Sequence, residues 1–123
     1  ARLPTSISGA IHKAVGEDAI IVVEESDSVA RKRFTIAHEL GHYIHRAGSD
    51  QDVGYVDYRD ELATAGKNPE EVLANSFAAN LLMPLDLTRS LWDEYKSEMA
   101  LAKRFVVSLD AMTFRLKNVG LIK

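Results

Sequence analysis

The stretch from Arg31 to Arg46 reads as one helix neither of whose sides is ordinary solvated surface, and this limits the fold more than any other feature of the chain. At about 100° per residue with His38 as origin, His42 falls about 40° to one side and His45 about 20° to the other. Phe34 and Gly41 flank that stripe, and Ile36, Leu40, Tyr43 and Ile44 lie opposite it as an apolar face. The pattern predicts a central helix, its apolar face in the core and its other face presenting three imidazoles. Gly48 is placed to end it.

Around this helix the chain divides into a strand-forming start and a helical remainder. Ile7 to Val15 and Ala19 to Val23 read as two strands joined by the turn Gly16-Glu17-Asp18. The nearly all-apolar, β-branched run Ala19 to Val23 suggests a strand covered on both faces. The segment from Gln51 to Lys67 is polar and irregular, with a short strand possible at Gly54 to Tyr58. A second helix is expected to start at Asn68-Pro69, with Asn as N-cap and Pro in the first turn, and to stop at Pro84. Asp86 could cap a third helix to about Tyr95, with two more near Met99–Val106 and Ser108–Asn118. With 123 residues, these elements suit one α+β domain over residues 1–123.

The helix period brings His38 and His42 to one side, where two imidazole nitrogens can converge on one ion. Zinc takes imidazole readily, and catalytic sites keep one of its four positions for water. Glu39, about 100° round from His38, places a carboxylate where it can take a proton from water held there. The H-E-x-x-H pattern thus offers two ligands, His38 and His42, and a general base, Glu39, for one Zn2+ ion. His45 lies a further turn along, where packing or support of a ligand suits it better than direct ligation.

The chain has no cysteine, so any metal must be held by His and carboxylate alone. A third His six residues after His42 would complete one known arrangement, but Gly48 stands there. A carboxylate from the second helix is the other solution. Glu71, Asn75, Ala78 and Leu82 share one stripe of that helix, and Glu70, Ala74, Phe77 and Leu81 share another. Periodicity alone does not choose between Glu70 and Glu71. Glu71 also stands three residues after Asn68, where a first-turn acid can serve the N-cap instead of a metal. Asn75, one turn beyond Glu71, could hydrogen-bond a ligating imidazole.

Two blocks of sequence resemble the ImmA/IrrE family of metallopeptidases. One is Arg33-Phe34-Thr35-Ile36-Ala37-His38-Glu39-Leu40-Gly41-His42, running on to His45. The other is Ala74-Asn75-Ser76-Phe77-Ala78-Ala79-Asn80-Leu81-Leu82-Met83-Pro84. Ser8-Gly9-Ala10 and the strand after it add to the likeness, which spans about residues 3 to 84. The resemblance implies a zincin-like fold, Glu39 as general base and a Glu of the second block as third ligand, and its E-x-x-A register falls on Glu71. It also implies a protein substrate, a helix-turn-helix transcriptional repressor, and a role in stress responses or toxin–antitoxin-like loci. Family members usually carry a further helix before the point where this chain begins. Tyr55, Tyr58 and His45 are candidates for stabilising an oxyanion, on chemistry alone.

Residues 85–123 read as a helical cap with some helix-turn-helix character. From residue 99 onward Lys103, Arg104, Arg115, Lys117 and Lys123 oppose Asp110 alone, a local charge of +4 against a net −3 for the chain. No Gly occupies the turn, and Leu101, Phe105, Leu109, Met112, Leu116 and Leu121 would serve equally to cap the core. Capping is the stronger reading, and the acidic balance of the whole argues against nucleic-acid binding. Absent cysteines, signal-peptide pattern and membrane-spanning run, a cytoplasmic location is expected. Two rival classes remain: a metal-site module that acts by binding a repressor or antitoxin, and a DNA-binding regulator using the C-terminal helices.

Overall fold

The structure is a computed structural model describing residues 1–4, 7–14, 16–45, 53–58 and 69–123. Strands β1 (Ile7–Lys13) and β2 (Ile20–Val23) lead into helix α1 (Val29–His45). Strand β3 (Val53–Tyr58) follows, then α2 (Pro69–Leu82), α3 (Leu85–Tyr95), α4 (Glu98–Phe105) and α5 (Leu109–Asn118). The architecture is α+β, with a small N-terminal sheet on a central H-E-x-x-H helix and a helical C-terminal half.

The sheet is antiparallel, ordered β2-β1-β3. Ala10 faces Val22 on one side and Val56 on the other, and a bulge interrupts the β1–β3 register between Ile7 and Gly9. The run read as a doubly covered strand is only partly covered, with Ile20 59% exposed and Ile21, Val22 and Val23 half-buried, and among the described residues it lies at the sheet edge. Its β-branched residues suit any pleated surface and do not by themselves mark a central position. At the end of β2 the chain is tied down by Glu24. Its carboxylate accepts from the backbone N–H of Leu3 at 2.8 Å, that of Ser26 at 2.6 Å and the Ser26 hydroxyl. These donors hold its pKa down at about 2.

Helix α1 opens on Ser28, whose hydroxyl accepts from the Arg31 N–H at 3.1 Å. Its burial departs from the sequence pattern. Thr35, Ala37, His38, Glu39, Gly41 and His42 are buried, whereas Ile36 and Ile44 of the apolar face are 45% and 48% exposed. The reason lies in the neighbours. The sheet packs on α1 and α2 packs along it, and together they cover the polar stripe. Gly9 permits the first approach, since a Cβ there would stand 2.4 Å from Thr35 Cγ2.

Pro69 begins α2, as a proline suits the first helical position, and Pro84 follows its end. The proposed cap Asn68 lies outside the described residues, as do Arg46, Gly48 and the irregular segment after β3. The C-terminal helices close a second core of Met83, Leu101, Ala102, Phe105, Val107, Met112 and Leu116, packed by Leu82, Leu91 and Trp92 among others. Ser97 and Ser108 cap α4 and α5, each accepting from the N–H three residues on at 3.1 Å. Leu109, expected in this core, is 45% exposed at the first position of α5. Among the described residues no helix is long and apolar enough to cross a membrane.

Candidate metal centre

His38 and His42, one turn apart on α1, turn their Nε2 atoms to within 3.1 Å of each other. Glu71, in the first turn of α2, reaches across so that Oε2 lies 2.9 Å from His38 Nε2 and Oε1 lies 3.1 Å from His42 Nε2. All three residues are buried. The imidazole rings stand nearly perpendicular, at 85° with centroids 4.7 Å apart, so their Nε2 atoms converge rather than stack.

Small residues make this approach possible. A Cβ on Gly41 would lie 3.1 Å from Ala74 Cα and 3.2 Å from Ala74 O, so α1 and α2 touch backbone to backbone between the histidines and Glu71. The distances also settle which acid of α2 meets α1, because Glu71 is buried against both imidazoles whereas Glu70 is only partly buried.

Glu39 is fully buried beside this group, and a carboxylate oxygen of Glu39 and one nitrogen of each histidine lie within 4.8 Å of one another. Either Glu39 or Glu71 could thus complete a ligand trio with the histidines. The Glu71 triangle, at 2.9–3.1 Å, is the tighter set and is close to the span of about 3.3 Å between donors bonded to one tetrahedral ion. Two imidazoles and a carboxylate are also a donor set that such ions favour. Among the described residues, neither Glu39 oxygen has a hydrogen-bond partner. A buried carboxylate in that condition is expensive, as expected of a group kept for an incoming proton donor.

The other candidates are placed as follows. Asn75 Oδ1 lies 2.7 Å from His38 Nδ1. His45 is exposed at the end of α1. Tyr55 and Tyr58 lie on β3, paired with Ile11 and Ile7, but their side chains lie outside the described part of the structure. Sequence reasoning did not single out the Gly41–Ala74 contact, although small residues on facing stripes of two helices are the available signal.

A central H-E-x-x-H helix, a small antiparallel sheet and a carboxylate delivered by the next helix together define a zincin-like protein of metallopeptidase type. The chain belongs to the Peptidase_M78 family, described as the IrrE N-terminal-like domain, whose sequence profile matches residues 5–117. No curated protein matches it.

Proposed function

We propose that the protein is a zinc-dependent endopeptidase that cuts a specific regulatory protein, a helix-turn-helix repressor. The convergence of His38, His42 and Glu71 at 2.9–3.1 Å beside the Glu39 carboxylate, which has no hydrogen-bond partner among the described residues, carries this reading. The repressor as substrate rests on the sequence resemblance alone, and the membership of a metallopeptidase family supports the reaction class.

In this reading His38, His42 and Glu71 hold the ion, which when bound supplies Lewis-acid activation of water and of the scissile carbonyl. Glu39 takes the proton as water attacks the carbonyl carbon. The carbon becomes tetrahedral, the C–N bond then breaks, and Glu39 returns the proton to the departing amine. Burial serves this exchange, because a carboxylate with no competing donor among the described residues is left to the reacting water.

The decisive experiment incubates zinc-loaded protein with the helix-turn-helix protein encoded beside it. A single discrete cut that disappears on chelation supports the reading. Binding of the partner without cleavage, unchanged in the Glu39→Gln variant, would replace it with a binding module.

A further inference from the structure

Resting on that reading, we propose that Asn75 is the positioning residue that sets which nitrogen of His38 faces the ion. Asn75 Oδ1 lies 2.7 Å from His38 Nδ1, and a carbonyl oxygen can only accept. The proton of a neutral His38 therefore sits on Nδ1, and Nε2 presents its lone pair. That lone pair is aimed at Glu71 Oε2, 2.9 Å away, and at His42 Nε2, 3.1 Å away.

A cation held at that point would draw the Nε2 lone pair and the Glu71 carboxylate together. Without Asn75, His38 could turn its proton to Nε2 and close on Glu71 as an ordinary hydrogen bond, with nothing left for an ion. With Asn75, a neutral ring keeps its proton on Nδ1 and its Nε2 lone pair stays available to an ion. The side chain thus biases the site toward a cation while adding no charge of its own.

The spacing makes this a property of one helix turn. Glu71 and Asn75 are four residues apart on α2, so the turn that brings the carboxylate to the Nε2 side also brings the amide to the Nδ1 side of the same ring. The Gly41–Ala74 contact lies between them and fixes the depth of both.

The test measures zinc affinity by competition with a chromophoric chelator, using the whole chain as wild type, Asn75→Leu and Asn75→Asp. Leucine keeps approximate size and removes the acceptor, whereas aspartate keeps an acceptor at the same place. Asn75→Leu is expected to bind zinc about 10- to 100-fold more weakly, and Asn75→Asp to recover most of that loss. Imidazole nitrogen NMR on zinc-loaded wild type is expected to find the His38 proton on Nδ1, a readout that needs no variant to fold. Equal affinity in all three proteins, or zinc-loaded His38 protonated on Nε2, overturns the assignment while leaving the peptidase reading intact. Wild-type protein that takes up no zinc would overturn both.

Discussion

Gly41 of α1 and Ala74 of α2 meet without side-chain padding: a Cβ on the glycine would stand 3.1 Å from Ala74 Cα and 3.2 Å from its carbonyl oxygen. Both neighbours are backbone atoms and cannot swing aside. Alanine would favour an isolated helix over glycine by about 1 kcal/mol. Overpacking at a rigid contact costs about 1–3 kcal/mol and should win. Gly41→Ala is therefore expected to lower unfolding free energy in denaturant titrations. It should also weaken zinc binding, because separating the helices withdraws Glu71 from both imidazoles. A variant as stable and as zinc-binding as wild type would show that the crossing does not set the ligand geometry.

The Glu39 carboxylate suggests a conflict between stability and activity. It is fully buried, and among the described residues neither oxygen has a partner. Replacing it by a neutral amide removes a buried charge, so metal-free Glu39→Gln should be more stable than wild type by about 1 kcal/mol. Cleavage should fall by about 10²- to 10⁴-fold as the proton carrier is lost, with zinc affinity nearly unchanged. Thermal melting after chelation, paired with a cleavage assay, checks both halves. Loss of stability would mean that the carboxylate has a structural partner.

How much of this was legible in the sequence depends on whether a feature follows from the period of one helix or from the meeting of two. His38 and His42 fall together because four residues make about one helical turn. Glu70 and Glu71 differ by one residue on a helix whose two stripes are both usable, so the period leaves them tied. The tie is broken in space, where Glu71 is the acid that reaches both Nε2 atoms. The family register also falls on Glu71, which is information from relatives and not from helix geometry. Hydropathy likewise assigned Ile36 and Ile44 to the core and left the histidines on the opposite face. The reverse burial arises because the sheet and α2 cover the polar stripe, a fact that no single-helix pattern contains. The strand at Ile20–Val23 shows the same limit, since β-branched residues announce a strand but not its place at the sheet edge.

Glu24 provides a pH signature separate from the metal centre. Its folded pKa is lowered from 4.5 to about 2, chiefly by the Ser26 hydroxyl and then by the backbone N–H groups of Leu3 and Ser26. A depressed carboxyl pKa contributes stability that is complete above the unfolded value and disappears as pH falls through the folded one. The difference in melting temperature between wild type and Glu24→Gln should thus be largest above about pH 5 and shrink toward pH 2. A difference constant across that range would mean that the carboxylate acts only through packing.

Arg115 ties the C-terminal helices to the helix that carries Glu71. Its Nε and Nη2 donate to the Met83 carbonyl at 3.2 and 3.0 Å, and Nη2 also donates to Asn80 Oδ1 at 3.0 Å. Burial lowers its pKa, and these acceptors offset the desolvation of the charge. Met83 O follows the end of α2, where the succeeding proline cannot continue the helix, so the guanidinium supplies a cation where the helix dipole favours one. The Met83 carbonyl keeps the Thr88 hydroxyl at 3.2 Å when Arg115 is removed, which limits the penalty. Arg115→Ala should therefore destabilise the fold by about 1–3 kcal/mol, measured by denaturant titration. The same contacts make Arg115 a poor probe of nucleic-acid binding, because its loss would disturb α5 whatever the surface does. Lys103 and Lys117, both exposed, are the better substitutions for that purpose. Salt-dependent DNA binding abolished by Lys103→Ala with Lys117→Ala, at unchanged melting temperature, would show a nucleic-acid surface on the cap. No measurable DNA binding by wild type would leave α4 and α5 as the closure of the second core.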